Sequence, residues 1–202
     1  MRTLRYVALG DSYTIGTSVA EDERWPNQLV AVEPRLELVA NLGVNGYATR
    51  DVIELELPQL ADLEPEFVTL LIGVNDVVQR VPAPLYRRNL GQILDGLLTQ
   101  VGPGRILAIS TPDYTVTPSG AEYGDPVRQA AAVRASNAVL EELAGGRLVR
   151  VVDIHDLSLK AAGDPTLVAA DGLHPSAQQY VLWLSRIFPA VHQMLDASRA
   201  GA

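Results

Sequence analysis

Residues 5–12 read Arg-Tyr-Val-Ala-Leu-Gly-Asp-Ser, a mainly apolar run that stops at a Gly-Asp-Ser turn. A short run of this kind, bounded by turn residues and without polar alternation, is typical of a parallel strand covered on both faces. Similar runs follow at residues 36–40, 67–72, 105–110 and 148–152. Together with residues 5–9, they predict five buried strands.

Segments with a helical period separate these runs. They lie near residues 25–32, 49–60, 84–101 and 126–143, and another follows Pro175. This alternation of strands and helices predicts an α/β fold, in which helices cover both faces of a parallel sheet. The length of 202 residues and the lack of internal repeats predict a single domain over residues 1–202, with a frayed tail from about residue 197.

The composition argues against several classes of protein and site. The chain has 24 acidic and 16 basic residues and a net charge of −8, so no nucleic-acid partner is expected. It has no cysteine, which excludes disulfides, thiolate metal sites and a cysteine nucleophile. Its three histidines show no His-x-x-x-His pattern, so no metal site is expected either.

No apolar run approaches the length of about 18 residues that a membrane span requires. The apolar stretch near the N-terminus is also too short for the core of a secretory signal. A chain with no integral membrane segment and a cytoplasmic location is therefore expected. The oligomeric state is not readable from the sequence.

Polar residues follow most of the predicted strands. In a parallel sheet, ligands bind beyond the carboxyl ends of the strands. The segments at these ends are residues 10–12, 41–46, 73–76, 111–125 and 153–156, and residues 171–174 precede the last helix. A functional site is expected where these segments meet.

Three of these residues have the chemistry of a nucleophilic site. A serine hydroxyl attacks once a base takes its proton, and Ser12 directly follows the first strand. Asp171 and His174 are three residues apart in a turn closed by Pro175, a spacing that lets the carboxylate orient the ring while Nε2 acts as base. Taken singly, however, Ser12 and Asp171 can equally be helix caps. His155, which also follows a strand, is the alternative base.

Two further residues are candidate donors to a developing oxyanion. Gly46 would donate its backbone N–H, since a glycine lets the backbone approach a substrate closely. Asn75 would donate through its side-chain amide. Each, taken alone, is typical of an ordinary turn.

The four blocks together are more specific than any single residue. In order they read Gly-Asp-Ser at 10–12, Asn-Leu-Gly-Val-Asn-Gly at 41–46, Gly-Val-Asn-Asp at 73–76 and Asp-Gly-Leu-His-Pro at 171–175. They resemble the four signature blocks of the SGNH (GDSL-type) hydrolases, over nearly the whole chain. The resemblance implies a flavodoxin-like three-layer α/β/α sandwich of about five parallel strands. It also implies the hydrolysis of carboxylic esters or thioesters without a metal or an organic cofactor.

The same resemblance assigns roles to individual residues. Ser12 is the nucleophile, and Asp171 and His174 complete the triad. Gly46 and Asn75 share the oxyanion hole with the N–H of Ser12. Gly46 is preferred to Gly43 as the donor because its distance from Asn41 fits the family pattern.

The substrate is expected to be a small-molecule or lipid-like ester. The residues expected to contact it are Tyr13, Val44, Tyr47, Leu173 and Tyr114. An acyltransferase that uses the same acyl-enzyme is the main alternative. A flavin- or phosphate-binding module of the same fold is another, because residues 12–17 are rich in hydroxyls.

Overall fold

The computed structural model describes residues 3–200, with side chains described through residue 197. Five parallel strands form its sheet: β1 (Leu4–Gly10), β2 (Leu36–Asn41), β3 (Phe67–Leu71), β4 (Ile106–Ile109) and β5 (Arg150–Val152). The order β2-β1-β3-β4-β5 reverses direction at β1, so the crevice at the switch point opens between the carboxyl ends of β1 and β3. The predicted three-layer fold with five parallel strands is confirmed.

The α-helices are α1 (Ser12–Ile15), α2 (Trp25–Val32), α3 (Thr49–Asp51), α4 (Leu60–Leu63), α5 (Val74–Val78), α6 (Ala83–Val101), α7 (Pro126–Gly145), α8 (His155–Ser158) and α9 (Ala177–Ala200). Short 3₁₀ turns lie at Glu21–Glu23, Tyr114–Val116, Gly120–Tyr123, Leu159–Ala162 and Pro165–Leu167. Within the described range, no helix is long and apolar enough to cross a bilayer. The frayed tail stays a prediction, because α9 is described to Ala200 and residues 201 and 202 lie outside the described residues.

Apolar side chains of β1 alternate between the two faces of the sheet. Tyr6 and Ala8 are fully buried in the cluster that includes the inner faces of α2 and α9. Val7 and Leu9 are fully buried in the opposite cluster, beneath α6 and α7. Both faces of the strand are therefore covered, which explains why its sequence lacks polar alternation.

The helix predicted at residues 49–60 is broken. α3 passes into a π-helical turn (Val52–Glu56) and a 3₁₀ turn (Leu57–Gln59) before α4 begins. Pro58 has no N–H to donate, which removes one hydrogen bond of a regular α-helix and favours a break there. The π-helical turn brings Glu56 beneath the end of β1, where its Oε2 accepts the Gly10 N–H over 3.0 Å.

Candidate active site

The turn after β1 presents Ser12. Gly10 has a φ of +151°, and a Cβ at this position would stand 2.2 Å from the carbonyl oxygen of Leu71, so only glycine fits. Asp11 caps α1, since its Oδ1 accepts the Tyr13 N–H over 2.9 Å. Ser12 is the first residue of α1, at the carboxyl end of a central strand. This is where the fold class places ligand sites.

Asp171 and His174 form a hydrogen-bonded pair. His174 Nδ1 lies 2.7 Å from Asp171 Oδ2, and Oδ1 of the same carboxylate accepts the N–H groups of Leu173 and His174 over 2.9 Å each. With Nδ1 committed to the carboxylate, Nε2 is the nitrogen left to act as base. His174 and Ser12 line the same cavity. Among the described residues, no hydrogen bond joins Ser12 Oγ to the ring, and such bonds commonly tighten when substrate binds.

The charge of Asp171 is strongly stabilised. Partial burial opposes ionisation of the carboxyl, but hydrogen bonds from Ser18 Oγ, the two backbone N–H groups and the His174 ring outweigh it. The pKa of Asp171 is therefore held well below its usual value. An anionic carboxylate faces the imidazole throughout the neutral pH range.

Two backbone N–H groups and one side-chain amide at the cavity have hydrogens that are free to donate, as far as the described residues show. In the described part of the chain, the N–H groups of Ser12 and Gly46 donate to no other residue. Asn75 Nδ2 donates one hydrogen to the carbonyl oxygen of Tyr47 over 2.8 Å, which orients the amide and leaves its second hydrogen available. Ser12, Gly46 and Asn75 all line the cavity.

The two glycines of residues 41–46 have different environments. A Cβ on Gly43 would lie 2.7 Å from both the Asp11 carbonyl oxygen and the Ile15 N, so Gly43 allows this loop to pack closely on α1. Gly46 has a φ of +84°, and a Cβ on it would meet no atom within 4 Å. Gly46 therefore borders open space on the cavity side, which supports its choice as the donor.

The cavity has a volume of about 230 Å³. Its lining residues are Ser12, Tyr13, Asn45, Gly46, Val74, Asn75, Val78, Tyr114, Tyr123, Leu173 and His174. Of the five residues expected to contact substrate, Tyr13, Tyr114 and Leu173 line this cavity. Val44 and Tyr47 do not: Val44 is 41% exposed outside the cavity, and Tyr47 contributes the carbonyl oxygen that accepts from Asn75.

His155 does not line the cavity. It begins α8, and its Nε2 lies 3.7 Å from Oδ2 of the buried Asp113. Its backbone N–H donates to Asp153 Oδ1 over 2.9 Å. The structure thus places the alternative base apart from Ser12, and only His174 joins that serine in the cavity. No group of three or more metal-ligating side chains is close enough to hold an ion within the described residues.

Sequence reasoning missed several residues at the site. Asn45, Val74 and Val78 line the cavity, and the first two directly adjoin the motif residues Gly46 and Asn75, a signal that could have found them. Ser18 Oγ donates to Asp171 Oδ2 over 2.5 Å from 153 residues away in the sequence. Nothing in the local sequence around Ser18 indicates that contact.

Asp11 and Glu56 are buried carboxyl groups that contact the turn at residues 10–13, which carries Ser12. Burial raises the pKa of Asp11 to about 8 and that of Glu56 to about 9. The negative charge of Asp76 adds to the rise at Asp11, and that of Asp11 adds to the rise at Glu56. Both groups are therefore mainly neutral at pH 7. They support the turn through hydrogen bonds to the N–H groups of Tyr13 and Gly10.

As pH rises, we expect the free energy of unfolding to fall less steeply in the Glu56→Gln variant than in the wild type. The folded protein holds the Glu56 proton up to about pH 9, whereas the unfolded chain releases it near the ordinary value of 4.5. Between these values the unfolded chain binds fewer protons, so the free energy of unfolding falls as pH rises, by up to about 1.4 kcal/mol per pH unit for one proton. Glutamine stays neutral and can still accept the Gly10 N–H.

Urea unfolding from pH 5 to pH 9 measures this slope. The exposed Glu122→Gln variant is the matched control, and its slope should equal that of the wild type. Asp11 remains in the Glu56→Gln variant, so part of the decline should persist. An unchanged slope in Glu56→Gln would show that Glu56 is ionised in the folded protein.

Comparisons with known proteins bear on the family and the fold. A model of the GDSL-like lipase/acylhydrolase family matches residues 8–182. No curated protein matches the chain. Similar solved structures include Axe2, an acetylxylan esterase from Geobacillus stearothermophilus, with a TM-score of 0.68 and 19% identity, covering 96% of this chain and 94% of that one.

Two further structures have comparable similarity. A member of the lipolytic G-D-S-L family from Veillonella parvula has a TM-score of 0.73 and 19% identity, covering 90% of this chain and 94% of that one. The psychrotrophic esterase EstA from Pseudoalteromonas sp., in a structure inhibited by monoethylphosphonate, has a TM-score of 0.70 and 17% identity, covering 95% and 98%. At these identities the structural likeness establishes the fold.

Proposed function

This chain belongs to the GDSL-like lipase/acylhydrolase family and is an ester-hydrolysing serine hydrolase, and on that basis we propose that it cleaves small carboxylic esters or thioesters through an acyl intermediate on Ser12. One observation carries the proposal. A single cavity of about 230 Å³ is bordered by Ser12, by His174, and by the proposed donors Gly46 and Asn75. His174 is also hydrogen-bonded to Asp171. A carbonyl carbon bound there has a nucleophile, a base and oxyanion donors around it.

The proposed reaction has two stages. His174 Nε2 takes the Ser12 proton as Oγ bonds to the carbonyl carbon, and the carbonyl oxygen becomes an oxyanion held by Gly46 N–H, Ser12 N–H and Asn75 Nδ2. The imidazolium then gives its proton to the leaving alcohol or thiol as the bond to that group breaks. Water repeats the sequence on the acyl-serine, which releases the acid and restores the hydroxyl.

The size of the cavity favours short acyl groups. Sites for drug-sized ligands commonly measure about 300–1,000 Å³, and this one is smaller. The rings of Tyr114 and Tyr123, 6.1 Å apart in an edge-to-face arrangement, contribute to its lining. Long acyl chains would have to extend past these rings into solvent.

A series of p-nitrophenyl esters of increasing acyl length tests this proposal. We expect kcat/KM to be highest for the short acyl groups and to fall as the chain outgrows the cavity. Prior treatment with a serine-directed phosphonate should abolish turnover of every ester in the series. A value of kcat/KM that rises steadily toward long chains would contradict the short-acyl assignment, and product analysis with an added alcohol acceptor separates hydrolysis from acyl transfer.

We expect Asn75→Ala to lower kcat by about 10²–10³-fold, because one oxyanion donor is lost. KM should change little, since the donor acts mainly on charge that develops in the transition state. Steady-state kinetics with the best ester measures both constants. Gln59→Ala is the control and should keep the wild-type kcat, because its exposed side-chain amide donates to the Leu55 carbonyl oxygen and does not line the cavity. Full activity in Asn75→Ala would remove Asn75 from the oxyanion hole.

A further inference from the structure

Two neighbouring hydroxyls on the loop after α1 reach two different parts of the site. Thr17 Oγ1 donates to Asn45 Oδ1 and Ser18 Oγ donates to Asp171 Oδ2, each over 2.5 Å. The loop is also tied to the nucleophile, because the Thr17 N–H donates to the Ser12 carbonyl oxygen over 3.1 Å. Thr17 and Ser18 therefore contact three parts of the site: the turn at residues 10–12, the loop at residues 41–46 and the turn at residues 171–174.

The backbone of Ser18 is in the left-handed region, with a φ of +69°. Glycine adopts this conformation with little penalty, whereas a residue with a Cβ does so at a cost in stability. Ser18 is exposed, so its side chain does not fill the core. Its hydroxyl donates to the Asp171 carboxylate.

The Ser18 hydroxyl shares an acceptor with the catalytic ring. Asp171 Oδ2 accepts from Ser18 Oγ over 2.5 Å and lies 2.7 Å from His174 Nδ1, while Oδ1 accepts two backbone N–H groups. The Asp171 side chain is 31% exposed, so without Ser18 the same oxygen would face water. A hydroxyl held by the chain fixes the carboxylate more firmly than exchanging water does.

We propose that Ser18 is a positioning residue of the triad, whose hydroxyl fixes the Asp171 carboxylate against the His174 ring and moderates the negative charge that this ring faces. This inference rests on the proposed function, in which His174 is the base for Ser12. Ser18 does not line the cavity, so it acts on turnover through the Asp–His pair and has no contact with substrate.

Loss of the hydroxyl has two consequences. The carboxylate loses a fixed donor, so kcat falls by about three- to tenfold while KM changes little. The uncompensated carboxylate also stabilises the imidazolium more strongly, so the acidic limb of the kcat/KM profile moves to higher pH. Other titratable groups near the pair are Tyr13, whose ring centroid lies 5.7 Å from that of His174, Tyr114 and Tyr123, which line the cavity with it, and Asp11 and Tyr180. Burial raises the pKa of Asp11, Tyr13, Tyr114 and Tyr180, so these four stay mainly uncharged across this limb.

Ser18→Gly and Ser18→Thr separate this role from a structural one. Glycine removes the hydroxyl and relieves the backbone penalty, so Ser18→Gly should have an equal or higher Tm, a lower kcat and a shifted acidic limb. Threonine keeps the hydroxyl but is β-branched at a positive φ, so Ser18→Thr should lose Tm and keep the wild-type limb. If Ser18 were only structural, the activity of each variant would change in parallel with its Tm. That result would overturn the inference.

Thr17→Val is the matched control, because it removes the neighbouring hydroxyl on the Asn45 side and should leave the acidic limb in place. An equal shift in Thr17→Val would indicate general loosening of the loop and would also overturn the inference. The proposed function is tested separately by the dependence of wild-type hydrolysis on Ser12. If hydrolysis requires Ser12 while Ser18→Gly keeps its full kcat and its profile, the inference about Ser18 alone fails.

Discussion

Replacing Ser12 with alanine is expected to lower kcat for ester hydrolysis by roughly 10⁴–10⁶-fold, because the oxygen that would form the acyl bond is removed. The fold should remain intact. Ser12 Oγ makes no hydrogen bond to the described residues, and the Asp11 cap and the Gly10 turn do not depend on it. We therefore expect Tm to stay within about 2 °C of the wild-type value. Steady-state kinetics and thermal unfolding measured on the same preparation provide both results.

The control for this variant is Ser185→Ala. Ser185 is an exposed serine of α9 whose Oγ donates to the Leu182 carbonyl oxygen, so its loss removes a hydroxyl without touching the site. It should retain wild-type turnover. A serine-directed phosphonate should add its mass to the wild type and to Ser185→Ala but not to Ser12→Ala. Turnover in Ser12→Ala close to that of the wild type would place the nucleophile elsewhere in the chain.

The strands could be predicted from sequence because a strand that is buried on both faces consists mainly of apolar residues, without polar alternation. Residues 6–9 place buried side chains on both sides of the strand, and both core clusters receive side chains from β1. The segment at residues 49–60 could not be predicted in detail, because its helical period does not encode where a π-helical turn forms. That turn ends at Glu56, which accepts a hydrogen bond from the Gly10 N–H, 46 residues away in the sequence.

Some residues of the candidate site could likewise be predicted from sequence, and others could not. The Asp171–His174 contact spans three residues, so spacing alone could suggest it. Ser12 and Asn75 follow strand ends, where the fold class concentrates ligand contacts. Ser18 could not be found by such reasoning, because its partner is distant in sequence and exposed serines with ordinary surface roles are common. Its hydrogen bond and positive φ became visible only with the backbone in place.

Replacing Asp171 with asparagine is expected to lower kcat/KM at neutral pH by about 10⁴-fold, by giving His174 the wrong tautomer. The backbone N–H groups of Leu173 and His174 both donate to Oδ1, so the amide oxygen of asparagine must take that position. The amide NH₂ then occupies the place of Oδ2 and points its hydrogens at His174 Nδ1. The ring responds by accepting at Nδ1 and carrying its proton on Nε2, which can no longer take the proton of Ser12.

Asp164→Asn provides a closely matched comparison for Asp171→Asn. Asp164 Oδ1 also accepts a backbone N–H two residues ahead, from Thr166, together with a side-chain hydroxyl, but no histidine shares its carboxylate. Its substitution should therefore leave kcat/KM close to the wild-type value between pH 6 and pH 9, while Asp171→Asn is depressed at neutral pH. Asp171→Asn retaining turnover within about threefold of the wild type would mean that the carboxylate does not set the tautomer. His174 would then have to act as base without Asp171, and the hydrogen bond between them would be only structural.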